Sequence, residues 1–470
     1  MLRPPSTSRP RASRPSTARH PRPPARPAGL CALALSALVL AGCGATGTPT
    51  GPAGSAGTPG TTVPSSASTA SDAAGDVSSE DSAEPTGWGP TVGEVEQARA
   101  LVAGWDAERL AGQVVVGRYA GTDPEVAADL VAEHHLAGVS VTAENVVDAA
   151  QVRATTAAVE AAVSADGRDF PPVVGVDQEG GLVSHLSGVA TDFPAFAAAG
   201  DAVAAGEKPG RAVVRAAADA LAMELRGLGF TWVFAPVADV TIGAGDPTIG
   251  SRSPSTDPAT AALAVAAAVA GYDRAGVVST PKHFPGHGAV GVDSHVALPE
   301  LDVSMAELAD RDLRPFAKAV LHEAPSIMVS HVAVDAVAPG VPASLAPETY
   351  DLLREELGFE GVAITDSLGM GAVAGREEPA VSALAAGADL LLMPADTART
   401  HRTLTRAIEE GRLSRERVEE AASRVVAVQL WQQRVAGARP VPVDAAGAPD
   451  LAALADTAAA AAEELAAAAG

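Results

Sequence analysis

The sequence predicts an α/β chain folded as a (β/α)8 TIM-type barrel with a single catalytic domain. Two observations predict it. Between residues 93 and 437, short β-branched runs alternate eight times with Ala-rich segments of helical length. The short runs are apolar almost throughout, as in strands buried on both faces of a parallel sheet. A third observation gives the barrel a working end. Five of the runs finish on, or lead into, charged residues, and the C-terminal ends of barrel strands are where function collects.

The strand-like runs are 114–118, 137–141, 172–177, 231–235, 277–280, 327–331, 361–366 and 389–394. Helices are expected over 123–134, 147–165, 209–228, 258–275, 305–322 and 347–357. Aromatic residues make up only 3% of the chain while alanine is abundant, so the helices should pack through small side chains. Asp177 ends the third run, Asp239 follows the fourth, Lys282 and His283 follow the fifth, His331 ends the sixth and Asp366 the seventh. Any one of them taken singly reads equally as a salt-bridged structural group. Five at one rim read as a site.

The ends of the chain are of a different character. Residues 1–42 hold seven arginines and no acid, and an apolar run, GLCALALSALVLAGC, follows the basic stretch. This is the pattern of a secretory signal, with an apolar segment short for a membrane span. Leu40-Ala41-Gly42-Cys43 resembles a bacterial lipobox. The resemblance implies cleavage before Cys43 and diacylation of that cysteine, and two acyl chains anchor durably. The expected location is extracytoplasmic, lipid-anchored to the outer face of the cell membrane, with no other membrane contact. Loss of the seven arginines would take the net charge from −24 to −31. A surface so acidic excludes nucleic acid as a partner. Cys31 would leave with the signal, so no internal disulfide is expected.

Residues 43–92 are rich in Gly, Ser, Thr, Pro and Ala, a composition that cannot bury enough apolar surface to order itself. They read as a flexible tether with a reach of roughly 40 Å. Residues 438–470 form an Ala- and acid-rich tail of helical propensity with a thin apolar stripe, which could dock or remain apart.

Four motifs carry chemistry. In VVGVDQEGGLVSHL (173–186), Asp177 closes a strand, and Gly180-Gly181 permit a tight turn. A carboxylate there could accept two sugar hydroxyls or cap a structural element. In PTIGSRSPSTDP (247–258), Arg252 sits among turn residues, either solvated or holding a substrate oxygen. In KHFPGHGAVGVDSHVALP (282–299), Lys282 and His283 offer hydrogen bonds suited to a ring of hydroxyls, and Pro285–Gly288 form a sharp turn with His287 as a structural member. Asp293 and His295 lie two apart, so in an extended loop both side chains face one way. A carboxylate beside an imidazole makes a general acid/base near neutral pH, though in a loop the pair also reads as surface decoration. In ITDSLGM (364–370), Asp366 at a strand end could attack an electrophilic carbon. The histidines lack metal-ligand spacing, so neither metal nor cofactor is expected.

VDQEGG, KHFPGHG, DSH and the strand-end TD, in that order, resemble glycoside hydrolase family 3, nearest its NagZ-type β-N-acetylhexosaminidase branch. The resemblance spans roughly residues 95–435. It implies a (β/α)8 barrel and a carbohydrate substrate, with a retaining mechanism that removes terminal β-linked N-acetylglucosamine. It implies that Asp366 is the nucleophile, His295 the acid/base and Asp293 its partner. It implies that Asp177, Arg252, Lys282 and His283 hold the sugar. The family's sugar-touching arginine falls at His185, and Leu182 replaces another arginine; Ala289 and Ser367 stand where Asp is common. A phosphorylase is the alternative reading, since an imidazole acid/base does not repel phosphate as a carboxylate would. A non-catalytic glycan-binding lipoprotein is the third.

Overall fold

The computed structural model describes residues 81–470, apart from Val292, Asp293, His295 and Val296. The signal, Cys43, most of the tether and the Asp293–His295 pair therefore lie outside the described residues.

Eleven strands are described: β1 (Val115–Gly117), β2 (Gly138–Val141), β3 (Val173–Val176), β4 (Gln178–Gly180), β5 (Val183–Ser184), β6 (Trp232–Val233), β7 (Glu300–Leu301), β8 (Ser326–Val329), β9 (Ala333–Val334), β10 (Val362–Thr365) and β11 (Leu391–Leu392). A five-stranded parallel sheet runs β11-β1-β2-β3-β6. A parallel pair, β8 and β10, continues it. Single parallel bridges join the pieces: Trp232 to Val278, Phe284 to Val329 and Ile364 to Leu390. The result is a curled, TIM-like parallel sheet with helices outside it.

The predicted strand at 277–280 is the weakest of the eight. Its segment pairs by isolated bridges at Val278 and Lys282 rather than as a regular ladder. Pro281 and Pro285 supply no N–H there. The predicted helix over 305–322 is in fact two, Met305–Asp310 and Leu313–Val320. Pro315 has no N–H for the Arg311 carbonyl four residues back, so the helix breaks at that point. The helix expected over 347–357 runs as Pro347–Asp351 and then widens to a π-turn over Leu352–Glu356.

The core is continuous inside and outside the sheet. Trp232, Phe230, Phe234, Phe284, Phe316 and Phe359 are its largest fully buried apolar side chains. Alanine packing is realised between helices Glu207–Gly227 and Pro258–Ala275, where a Cβ on Gly271 would meet the Arg215 carbonyl at 2.5 Å. Ordered chain reaches back beyond residue 92. Trp88 is buried, and Val92 N donates to the Glu84 carbonyl. The tail is helical over Leu451–Ala468 and docks: Leu454, Ala458, Ala462 and Leu465 are buried, and a Cβ on Gly227 would strike Leu454 Cδ1 at 2.4 Å.

Candidate active site

β3 ends at Val176, and the next residue is Asp177. The chain then makes a small antiparallel hairpin, β4–β5, turned by Gly180 and Gly181 at φ +92° and +61°. Side chains at Gly180 and Gly181 would also strike Pro194 and Ala195, so both conformation and space favour glycine. Asp177 and Glu179, two residues apart in extended chain, present their carboxylates to the same cation. Lys282 Nζ donates to Asp177 Oδ1 at 2.5 Å and pairs with Glu179 Oε1 at 2.6 Å.

Arg252 completes this network from another loop. Asp246 organises that loop by accepting from the N–H groups of Thr248, Ile249 and Gly250 and from the Thr241 hydroxyl. Arg252 Nε and Nη2 then form a bidentate pair with Glu179, both at 2.8 Å. Burial opposes the Glu179 charge, but Lys282 and Arg252 overcome it and take its pKa down to about 2. Burial likewise opposes charge on Lys282, and Asp177 and Glu179 outweigh it, raising its pKa above the ordinary lysine value. Glu179, Lys282 and Arg252 are therefore ionised at neutral pH.

Asp239 follows β6 and is wholly buried. Its Oδ1 accepts from His283 N at 3.2 Å and His287 N at 2.7 Å, while Oδ2 meets His283 Nδ1 at 2.7 Å. A carboxylate only accepts, so His283 Nδ1 carries a proton and donates it to Asp239. Arg252 Nη2 lies 3.5 Å from His283 Nε2. The Lys282–His283 and Phe284–Pro285 peptides are cis.

Asp366 follows β10 and is half-buried. Its N–H donates to the Val329 carbonyl of β8, and its Oδ1 accepts from Ser367 N at 2.7 Å. His331 Nε2 donates to the Ser367 carbonyl at 2.9 Å, with Nδ1 2.7 Å from Ser344 Oγ. Burial works against charge on Asp366. The fields of His283 and His331, the Ser367 N–H and Lys282 together outweigh it and hold the carboxyl below the usual carboxylate range. Asp366 is thus an anion presented at a strand end.

Together these residues make a cup of donors and acceptors fit for a polyhydroxylated ligand, beside one ionised carboxylate able to act as a nucleophile. A model of the glycosyl hydrolase family 3 N-terminal domain matches residues 104–428. The chain belongs to glycosyl hydrolase family 3. Among family members, the β-hexosaminidase of Stenotrophomonas maltophilia is 37% identical over 262 residues, covering 55% of this chain and 76% of that protein. Beta-hexosaminidase A of Pseudoalteromonas piscicida is 31% identical over 330 residues, 65% of this chain but only 55% of that longer protein. A solved family 3 β-N-acetylglucosaminidase from Paenibacillus superposes with a TM-score of 0.69 at 32% identity, covering 76% of this chain and 68% of that one. The family makes the chain a glycoside hydrolase, with carbohydrate as its substrate class.

Of the expected site residues, Asp177, Arg252, Lys282 and His283 come together in one network. Asp366 is joined to it electrostatically. His185 touches the group through its backbone, donating its N–H to the Asp177 carbonyl at 3.2 Å, and its side chain is half-buried. Asp293 and His295 lie outside the described residues. Glu179 was missed by the sequence reading, although its spacing of two from Asp177 could have flagged it. The roles of Asp239 and of the His287 side chain were also missed. His287 is not merely a turn residue: its imidazole is buried and bonded to Ser294.

Proposed function

We propose that the chain is a retaining exo-β-N-acetylglucosaminidase that removes terminal β-linked N-acetylglucosamine from peptidoglycan fragments or related glycans. The observation that carries this reading is the ionised Asp366 at a strand end, set beside the Lys282–Asp177–Glu179–Arg252 network. The names of the relatives point the same way. The working unit we envisage is one complete (β/α)8 barrel acting as a single catalytic domain.

Asp177, His185, Arg252, Lys282 and His283 hold the terminal sugar. The Asp366 carboxylate attacks the anomeric carbon as the bond to the leaving oxygen breaks. That oxygen keeps the bonding electron pair and takes a proton from His295, whose charge state Asp293 supports. A covalent glycosyl-enzyme on Asp366 results. His295 then accepts a proton from water as the water oxygen attacks the same carbon, releasing Asp366 and retaining configuration. Cys43, lipidated, would tether the barrel to the outer membrane face and so within reach of the wall.

An aryl β-N-acetylglucosaminide tests the chemistry. Wild type should turn it over, and Asp366→Ala should lose roughly a thousandfold or more in kcat. A slow fluorinated substrate should leave its sugar on a peptide containing Asp366. Unchanged turnover in Asp366→Ala would sink the proposal. Sugar 1-phosphate appearing only with phosphate present would transfer the chain to the phosphorylases. Release of a Cys43→Ser chain into the soluble fraction would support the anchor.

A further inference from the structure

His287 is 2% exposed, as is Ser294, and His287 Nε2 lies 3.0 Å from Ser294 Oγ. Both ends of this contact are anchored. The His287 backbone is tied to the buried Asp239, and the following Gly288 is pressed so closely on the chain after β6 that a Cβ there would meet the Val240 carbonyl at 2.3 Å. On the other side, the Ser294 carbonyl accepts from Ala372 N at 3.2 Å. Ala372 lies in the short helix Gly371–Ala374 that follows Asp366. Ser294 is thus clamped between the sugar-binding side and the nucleophile side of the site. No described residue partners His287 Nδ1. An orphan acceptor costs less than an orphan donor, which puts the imidazole proton on Nε2, donated to Ser294.

We propose that His287 is a positioning residue for proton transfer: through the Ser294 hydroxyl it registers the segment that carries Asp293 and His295. The inference rests on the acid/base role proposed above for that pair. Each of the two is one peptide unit from Ser294, about 3.8 Å along the chain. A shift of about 1 Å in a catalytic group costs on the order of a hundredfold in rate. Burial and the neighbouring His283 both push the His287 pKa down, in keeping with a neutral imidazole serving as a strut.

The test uses the full chain as wild type, His287→Leu, His287→Gln, Ser294→Ala and the double variant His287→Leu/Ser294→Ala. Two substrates are compared, phenyl and 2,4-dinitrophenyl β-N-acetylglucosaminide. Only the phenyl leaving group needs a proton during bond cleavage. His287→Leu and Ser294→Ala should each lower kcat/KM on the phenyl substrate about 10- to 100-fold. On the dinitrophenyl substrate kcat/KM should stay within about threefold, and the inhibition constant of free N-acetylglucosamine should not move. His287→Gln, which keeps a donor near the Nε2 position, should recover most of the loss. The double variant should be no worse than the poorer single one.

Equal losses on both substrates, weaker N-acetylglucosamine binding, additive losses, or a Gln variant no better than Leu would each make His287 a turn element and overturn the inference. If His287→Leu does not fold, Ser294→Ala alone decides by the same leaving-group comparison. If Asp366→Ala and His295→Ala are inactive on the phenyl substrate while His287→Leu is unaffected, this inference alone fails. If Asp366→Ala keeps its turnover, the proposed function fails first and takes this with it.

Discussion

Glu179→Gln tests the ion network directly. Glu179 is buried, and its carboxylate faces Lys282 Nζ at 2.6 Å and both Nε and Nη2 of Arg252 at 2.8 Å. Its pKa falls from 4.5 to about 2 on folding. At about 1.4 kcal/mol per unit, that difference corresponds to roughly 3 kcal/mol of stability. Removing one partner of a buried pair independently suggests about 3–5 kcal/mol. Lys282 keeps Asp177 and Arg252 is partly open to water, so the lower figure applies. With an unfolding entropy near 0.8 kcal/mol/K for the roughly 390 residues described, the melting temperature should fall by about 4 °C. The sign with pH follows from the depressed value. The carboxylate's contribution is fully present above about 4.5 and fades as pH falls through about 2. The gap between wild type and variant, measured by urea unfolding at stepped pH, should therefore be constant near neutrality and narrow below pH 4.5. KM should rise about tenfold as Arg252 loses its seat. A gap that is absent at pH 7, or that stays constant down to pH 3, would refute the reasoning.

Three further outcomes follow from the same geometry. Asp239→Asn offers one acceptor oxygen where the carboxylate serves three donors, so KM for the aryl glycoside should rise about tenfold or more and stability should drop by about 2 kcal/mol, checked by kinetics and urea titration. Asp389 is buried among Arg354, Arg417 and Arg424 just ahead of β11, at the strand end away from the site. Its pKa is taken down to about 2 by those arginines against the cost of burial, and Asp389→Asn should cost about 3–5 kcal/mol while kcat/KM per folded molecule stays within about twofold. Leu454→Ala should lower stability by about 2–3 kcal/mol with activity unchanged, since its side chain is buried in the docked C-terminal helix; an unchanged melting curve would mean the helix does not dock in solution.

Much of the fold was legible because it depends on local pattern. Helix Pro258–Ala275 begins at an Asp257 N-cap with Pro in the first turn and ends at Gly276 with φ +79°, all of it written in adjacent residues. The apolar runs that became β2, β3, β8 and β10 were equally plain. The run at 277–280 reads as a strand in the same way, but it pairs only through a single bridge at Val278, with Pro281 directly after it supplying no N–H.

By itself the sequence determined the alternation of strand and helix, the placing of Asp177, Lys282, His283 and Asp366 after apolar runs, and the motifs that mark family 3. Only the tertiary structure decided how those groups are paired. Lys282 meets Asp177 from 105 positions away, Arg252 meets Glu179 from 73, and His283 meets Asp239 from 44. Side-chain periodicity says which face a residue takes, but not which distant loop will stand opposite it. That choice is made when the sheet curls and brings its loops to one rim. It is why Glu179 reads as an ordinary acid in the sequence and becomes, in the folded chain, the anion between a buried lysine and a half-buried arginine.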